Sequence, residues 1–234
     1  KALEEYNYTV SYNPEFIAQG TILKDQANAD MVLIGESNPT VGNLIENIYT
    51  DHCISNPRIC RMDVISAEIT KLSLNCFLTT KISFANMIGD IANKVGGEKE
   101  KILEAIGSDS RIGGKYLGWG YGYGGPCFPR DNRALNIFAE ENGVDAQISR
   151  ATDKMNDLHL IYQIEEFIKN NPDKNKEVVF DYVTYKPQST ILEESQQLKF
   201  ALTLQKLGYN VVVNERDSVI KELNNKGIKF KNNE

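Results

Sequence analysis

A cysteine at the end of a glycine-rich run, followed four residues later by a carboxylate, is the most chemically suggestive spacing in this chain. The run is Gly122-Tyr123-Gly124-Gly125-Pro126-Cys127-Phe128-Pro129-Arg130-Asp131. Glycines let backbone amides approach a ligand closely and adopt positive φ. Pro129 suits the first turn of a helix, and Ala134, Leu135, Phe138 and Ala139 continue at helical spacing until Gly143. The spacing therefore predicts Cys127 just ahead of a helix N-terminus, where the macrodipole favours a thiolate. Such a cysteine has the makings of a nucleophile.

A second constellation lies upstream. Lys71, Asn75, Leu78 and Ile82 fall at i, i+4, i+7 and i+11, and so share one helix face. An amine and an amide aligned this way read either as a snorkelling lysine beside a satisfied asparagine or as two donors aimed at a developing oxyanion. The helix alone does not decide between them. Two weaker signals are Glu15, after the turn proline of Tyr12-Asn13-Pro14-Glu15-Phe16-Ile17, and Arg111, in the polar stretch Ser108–Tyr116. Either side chain by itself reads as an ordinary surface charge.

The elements that must hold these residues are legible in outline. Tyr8–Tyr12 reads as a strand running into the Pro14 turn, and Met31–Gly35 as a short buried strand. A helix is expected from Thr40 to Tyr49, with Pro39 at its start. One long helix follows from Ser66 to about Val95, stopped by Gly96-Gly97, and a shorter one covers Lys99–Ile106. Another spans Ala146 to Lys169 with Asp145 as N-cap. Beyond the polar 170–176 connector the pattern changes to strand (Val178–Phe180), helix (Leu192–Leu207), strand (Val211–Val213) and helix (Ser218–Lys226), a parallel α/β unit. The fold class is thus α/β overall: a long central helix and helical region, then a partial Rossmann-like parallel α/β domain. Three domains are expected, 1–60, 61–172 and 173–234.

Bulk properties narrow the function classes. In 234 residues, 41% hydrophobic and 25% charged describe a globular domain of ordinary composition. A net charge of −6 argues against nucleic acid or an anionic membrane as partner. No apolar run approaches the ~18 residues of a membrane span, no signal peptide is recognisable, and cytoplasm is the default compartment. Cys53, Cys60, Cys76 and Cys127 show no CxxC spacing, and reduced thiols are expected. With only His52 and His159, a histidine-rich metal site is not expected. A cysteine hydrolase would need a base beside Cys127, and neither histidine sits in a recognisable partner motif.

Taken together and in order, these segments resemble the UDP-glucose/GDP-mannose dehydrogenase family. The resemblance rests on Asn13–Gly20 with Lys24-Asp25, Asp30–Gly35, Glu68–Asn86, Asp109–Leu117, Gly122–Asp131, and Tyr185-Lys186-Pro187 with Glu194-Ser195. It implies an enzyme that oxidises the primary alcohol of a nucleotide sugar to a carboxylate with two NAD+ in succession. Cys127 then corresponds to the nucleophile that captures the aldehyde as a thiohemiacetal on the way to a thioester. Lys71 and Asn75 correspond to the oxyanion-stabilising pair, Asp131 to the carboxylate that positions water, and Glu15 to the general base. Phe16, Ile17, Gln19, Ile82, Tyr116, Tyr123, Gly124 and Phe128 match positions around the nucleotide sugar. Tyr185 and Lys186 match positions that reach the phosphates, and Arg130 and Glu193 match positions near the cofactor. Arg111 matches an arginine that enters the neighbouring subunit's active site, which implies a homodimer built on the long helix.

The departures from the family pattern are specific. A G-x-G-x-x-G loop between strand and helix is absent from this sequence, so residues 1–60 read as a remnant of the family's N-terminal NAD-binding domain. Gln19 and Met87 stand where the family commonly has glutamate, and Glu193 where it often has an arginine. Pro14-Glu15-Phe16 resembles the glucose and mannose branches of the family, not the N-acetyl sugar branches; the resemblance implies UDP-glucose as substrate, with GDP-mannose the sibling alternative. A catalytically silent, dimeric, substrate-binding core is the reading from a different class.

Overall fold

In the computed structural model, residues 8–17 and 20–232 are described. The chain forms two compact units, 1–74 and 75–234. The expected three-part division remains a proposal of the sequence.

The first unit is built on a parallel strand pair. Apolar Met31–Gly35 (β1) pairs with Arg58–Met62 (β2) in register Met31 to Arg58 through Gly35 to Met62. Val32, Leu33 and Ile34 are at most 3% exposed. Between the strands lies the helix Pro39–His52 (α2), with Asn38 as N-cap accepting from the Val41 amide. A short helix, Ile22–Ala27 (α1), precedes β1. The strand expected over Tyr8–Tyr12 is a single antiparallel bridge from Tyr12 to Gly35. Its other residues find no ladder partner among the described residues, and their alternation alone could not hold a strand. Neither α1 nor β2 was foreseen, because Arg58 and Arg61 interrupt the apolar pattern of β2. Arg61 is nonetheless well used, with ion pairs to Glu36 at 2.6 Å and Glu46 at 2.8 Å.

The long helix is present as Val64–Val95 (α3), 32 residues without a break. Asp63 caps it, accepting from the amide and hydroxyl of Ser66 at 2.9 and 2.7 Å. The division between the units falls along this helix, after Leu74.

The second unit continues from α3 into Lys99–Ser108 (α4), a loop, Phe128–Glu141 (α5) and Gln147–Asn170 (α6). Ala146, not Asp145, is the N-cap of α6; the Asp145 carboxylate instead accepts from Gln147 and Arg150. The α/β layer follows: Glu177–Phe180 (β3), Gln196–Lys206 (α7), Asn210–Val213 (β4), Asp217–Asn225 (α8) and Lys231–Asn232 (β5). All three strands are parallel, in the order β3-β4-β5, as the strand-helix alternation predicted. Val211, Val212 and Val213 are buried, and with Phe180, Leu204, Val219 and Leu223 they form the sheet's core. The C-terminal half of α6 closes one side through Ile164 and Phe167, whose ring meets Phe200 and Tyr209 edge-on at 5.7 and 5.8 Å. Among the described residues, no helix is long and apolar enough to cross a membrane.

Helix α7 begins four residues later than its periodicity suggested. Residues 192–195 are spent on a non-helical approach to the glycine-rich loop, and Ser195 then caps the helix. Its hydroxyl accepts from the Leu198 amide at 3.1 Å and donates to the Val183 carbonyl at 2.7 Å, with the residue only 1% exposed. Ser195→Ala removes both bonds and leaves a buried carbonyl unpaired, so stability should fall by roughly 1–3 kcal/mol. Urea unfolding checks this; an unchanged midpoint would contradict it.

Candidate active site

Cys127 is the N-cap residue of α5, with φ −99° and ψ −59°, and its thiol is free and exposed. Pro129 occupies the first turn, as its ring requires. One turn on, Asp131 donates its amide to the Cys127 carbonyl at 2.8 Å, so the cysteine and the carboxylate are joined by the helix's own first bond. Asp131 is 4% exposed, and its two carboxylate oxygens are separately held. Oδ2 accepts from Asn75 Nδ2 at 2.6 Å, and Oδ1 from Arg130 Nε and Nη2 at 3.0 and 2.9 Å. A buried charge so supplied with donors is stable where it stands. The Asn75 amide, expected with Lys71 to serve an oxyanion, here donates to Asp131 and fixes the orientation of its carboxylate.

Beneath this pair lies a second thiol. Cys76 is buried and donates to the Asp131 carbonyl at 3.6 Å. Burial, reinforced by the Asp131 charge, pushes its thiol up to about 12.

The glycine-rich loop reaches Cys127 under restraint from several elements. Asn86 on α3 accepts from the Gly120 amide at 3.0 Å. Asn156 on α6 takes both backbone groups of Tyr123, accepting at 2.9 Å and donating at 3.0 Å. Gln196 on α7 adds a bond to the Tyr123 carbonyl at 3.2 Å. The glycines at 124 and 125 are demanded by this packing. A Cβ on Gly124 would strike the Glu194 carbonyl, and one on Gly125 would come within 2.6 Å of the Tyr185 ring, at φ +81°. The Gly125 amide donates to the Glu193 carbonyl at 3.1 Å.

Tyr123, expected beside the substrate, is 4% exposed with its hydroxyl on Asp153. Burial and that carboxylate raise its phenol far above the ordinary tyrosine range, so it stays neutral and braces the loop. Asp153 in turn meets Arg133 at 3.4 Å, and Arg133 meets Glu194 at 2.8 Å. Phe128 is half-buried against Tyr116, rings edge-on at 6.3 Å, with Tyr116 held at φ +61°. Ile82 is half-buried on α3, and Lys186 stands 5.5 Å from the Tyr185 ring centroid. Arg111 folds back onto its neighbour Asp109 with bonds of 2.9 and 2.6 Å, its side chain 85% exposed.

The first unit holds a separate cluster. Glu15 Oε1 and Asn13 Oδ1 share the Tyr49 hydroxyl at 3.0 and 2.9 Å, and burial with the adjacent Glu15 raises that phenol to about 12. Asn13 ties the segment to β1 through the Leu33 carbonyl at 2.9 Å. Lys71 donates to the Glu15 carbonyl at 2.7 Å, with its ammonium 4.3 Å from the Phe16 ring centroid. Ile17 is 38% exposed, and Gln19 lies outside the described residues. Tyr49, Asn156 and Asp153 were missed from sequence. Each lies tens of residues from its partner, and no local spacing marks it.

The profile of the UDP-glucose/GDP-mannose dehydrogenase family's central domain matches residues 65–158, and that of the same family's NAD binding domain matches residues 1–53. Together they take in more than half of the chain, which belongs to the UDP-glucose/GDP-mannose dehydrogenase family. The UDP-glucose 6-dehydrogenase of Pseudomonas aeruginosa is 31% identical over 210 residues, 89% of this chain and 46% of that protein. That of Rickettsia felis is 29% identical over 229 residues, 97% of this chain and 51% of that protein. A UDP-glucose dehydrogenase structure from Pyrobaculum islandicum superimposes with a TM-score of 0.87 at 30% identity, covering 97% of this chain and 52% of the other. The chain thus spans about half the length of the relatives it matches.

The matched N-terminal profile is that of an NAD binding domain, which makes NAD the cofactor. The turn after β1 reads Glu36-Ser37-Asn38, with the Glu36 carboxylate paired to Arg61, so this turn holds no glycine-rich phosphate loop. Of the two residues expected near the cofactor, Glu193 is an exposed carboxylate and Arg130 is bound to Asp131. No step below is routed through the cofactor.

The contrast between the thiols is directly measurable. At pH 8, a Cys76 thiol displaced to about 12 holds about one part in ten thousand as thiolate, and the thiolate is the reactive form. Iodoacetamide should therefore label Cys127 well before Cys76, as read by peptide mass spectrometry. Equal rates would contradict the arrangement.

Proposed function

We propose that this chain carries the nucleophile and hydrolytic carboxylate of a nucleotide-sugar 6-dehydrogenase that converts UDP-glucose to UDP-glucuronate. The single observation that carries this reading is Cys127 at the N-cap of α5, with Asp131 one turn on and locked by Asn75. Family membership and relatives named UDP-glucose 6-dehydrogenase supply the substrate class.

In this reading the sugar's primary alcohol is first oxidised to the aldehyde. The Cys127 sulfur then adds to the aldehyde carbon, and the resulting oxyanion needs donors. A carboxamide has two N–H groups; Asn75 spends one on Asp131, and the proposal assigns the other to that oxygen. When bound, NAD+ would supply the two-electron oxidant both for the alcohol and for this adduct; the chain's own part resumes with the thioester on Cys127. Asp131 orients the water that opens it and accepts its proton, releasing the carboxylate and the thiol. Lys71 takes the role of a cationic donor and Glu15 that of base. The Tyr49 hydroxyl, on Glu15 Oε1, limits which carboxylate oxygen is open to a proton.

The proposed homodimer draws support from α3 itself. Phe77, Phe84 and Ile91 recur every seven residues and are 67%, 43% and 53% exposed, a seam suited to a second helix. Arg111 would serve the partner's site after giving up its bonds to Asp109. Phe84→Glu should convert a dimer to a monomer by light scattering; a dimer that persists would move the interface elsewhere.

NADH formation with UDP-glucose and with GDP-mannose tests the activity. Cys127→Ser should lower formation of the acid by about 10³-fold or more, and Asp131→Asn by roughly 10²–10⁴-fold. Calorimetric binding of UDP-glucose without any turnover would favour the silent core instead. Absence of both binding and turnover would overturn the function.

A further inference from the structure

His159 is 1% exposed on α6, and both of its ring nitrogens face hydrogen-bond acceptors. Nδ1 lies 2.7 Å from Asp90 Oδ2 on α3, and Nε2 lies 2.6 Å from the Gly120 carbonyl oxygen. A backbone carbonyl has no hydrogen to give, so the short Nε2 contact requires N–H at that nitrogen. A neutral imidazole carries only one N–H. Its Nδ1 lone pair would then oppose a carboxylate oxygen at 2.7 Å, unless a further hydrogen lies between them. The pair therefore holds one proton more than a neutral histidine beside an ionised aspartate. An imidazole is far more basic than a carboxylate, which places that proton on the ring.

We propose that His159 is a doubly protonated clamp, an imidazolium paired with Asp90, that positions the glycine-rich loop and through it Cys127. Gly120 is held at both backbone groups: its amide donates to Asn86 Oδ1 at 3.0 Å, and its carbonyl accepts from His159 and from Gln163 Nε2 at 3.1 Å. Asp90 uses its other oxygen on the Trp119 indole N–H at 2.9 Å, so one carboxylate orients both the ring and the residue before Gly120. Trp119 also stacks edge-on against His159 at 5.9 Å. His159 lies one turn beyond Asn156, which holds Tyr123 of the same loop. The other charged and titratable groups along this seam are Lys99, 3.9 Å from the Trp119 ring centroid, and Lys94, which pairs with Glu166 at 2.7 Å beside Tyr162. Neither cation neutralises the Asp90 carboxylate through a direct bond among the described residues. That leaves the imidazolium as its counter-charge. A buried cation and carboxylate so arranged, with their remaining hydrogen-bonding capacity filled, are stable as a pair and costly to separate.

The protonation state stands independently of the enzymatic reading, whereas the positioning role rests on Cys127 being the nucleophile. The chain has only two histidines, and His52 is exposed, so it serves as an internal reference. In a ¹⁵N-labelled sample at pH 7.5, both His159 ring nitrogens should resonate as protonated and show bonded hydrogens, with the exposed His52 giving a separate set of signals. A lone-pair nitrogen shift on His159 would overturn the proton assignment. In Asp90→Asn, one ring nitrogen should lose its hydrogen; a ring that stays doubly protonated would show that Asp90 is not what holds it.

Positioning is read from the alkylation rate of Cys127, which needs no turnover. His159→Ala should change it by roughly threefold or more, and His159→Gln, which keeps an N–H for the Gly120 carbonyl, should restore it to within about twofold. Thermal unfolding establishes that both variants are folded. Equal rates in the wild type and both variants, or equal changes in the two, would overturn the clamp. Loss of turnover with these signatures intact would count against the enzymatic reading alone.

Discussion

The second unit depends on a buried polar seam between α3 and α6. Thr79, Ser83, Asn86 and Asp90 recur on α3 at intervals of three and four, and Thr152, Asn156 and His159 do so on α6; all are under 9% exposed. They meet directly. Thr80 and Thr152 share a hydroxyl contact at 3.1 Å, Ser83 donates to the Thr152 carbonyl at 3.1 Å, and Asp90 closes on His159. Apolar faces of two helices can pack in several registers with little difference in energy. A row of hydrogen bonds admits one register, because a shift strands buried donors and acceptors at about 1–3 kcal/mol each. The same groups that join the helices also reach out to Gly120 and Tyr123. Register and loop position are therefore set together.

From the other side, the loop meets the segment that leads into α7. The Glu194 carbonyl and the Tyr185 ring sit where side chains at 124 and 125 would otherwise stand. Gly124 and Gly125 are consequently explained by packing within the unit, and this changes how the run should be understood. It is a strip of backbone held between a polar seam and an α/β layer, and it delivers Cys127 to a helix N-terminus at a fixed angle. Glycine here supplies thinness as much as freedom.

What the sequence made legible follows from which interactions are local. Helical spacing and stop glycines located α3, α4, α5 and α6 to within a few residues, because each has its own periodic pattern and punctuation. The Cys127–Asp131 relation was readable for the same reason: four residues on one helix. Long-range partners were not. The seam was invisible because its residues are polar, and polar residues at helical spacing read as a solvated face. His159 was taken as a histidine without a partner motif, since Asp90 lies 69 residues away. Tyr8–Tyr12 alternates like a strand but reaches only one bridge, and β2 forms despite two arginines because β1 offers a ladder. The Asp145 cap failed through competition, as Arg150 and Gln147 occupy that carboxylate.

Asp131 is buried beside one thiol and joined through the backbone to another, and the two thiols stand in different surroundings. Cys76 lies under it in a site without solvent, so desolvation and the carboxylate act in the same direction and hold that sulfur neutral. Cys127 is joined to the same aspartate through the backbone, but stands exposed at the N-terminus of α5. Asn75 and Arg130 each take one carboxylate oxygen of Asp131. Reactivity is thus assigned by exposure and by where the donors stand, not by distance from the acid. A change at Asn75 would alter the orientation of Asp131 and the field at both sulfurs together. Asn75 therefore bears on Asp131 as well as on the oxyanion that the proposed reaction forms.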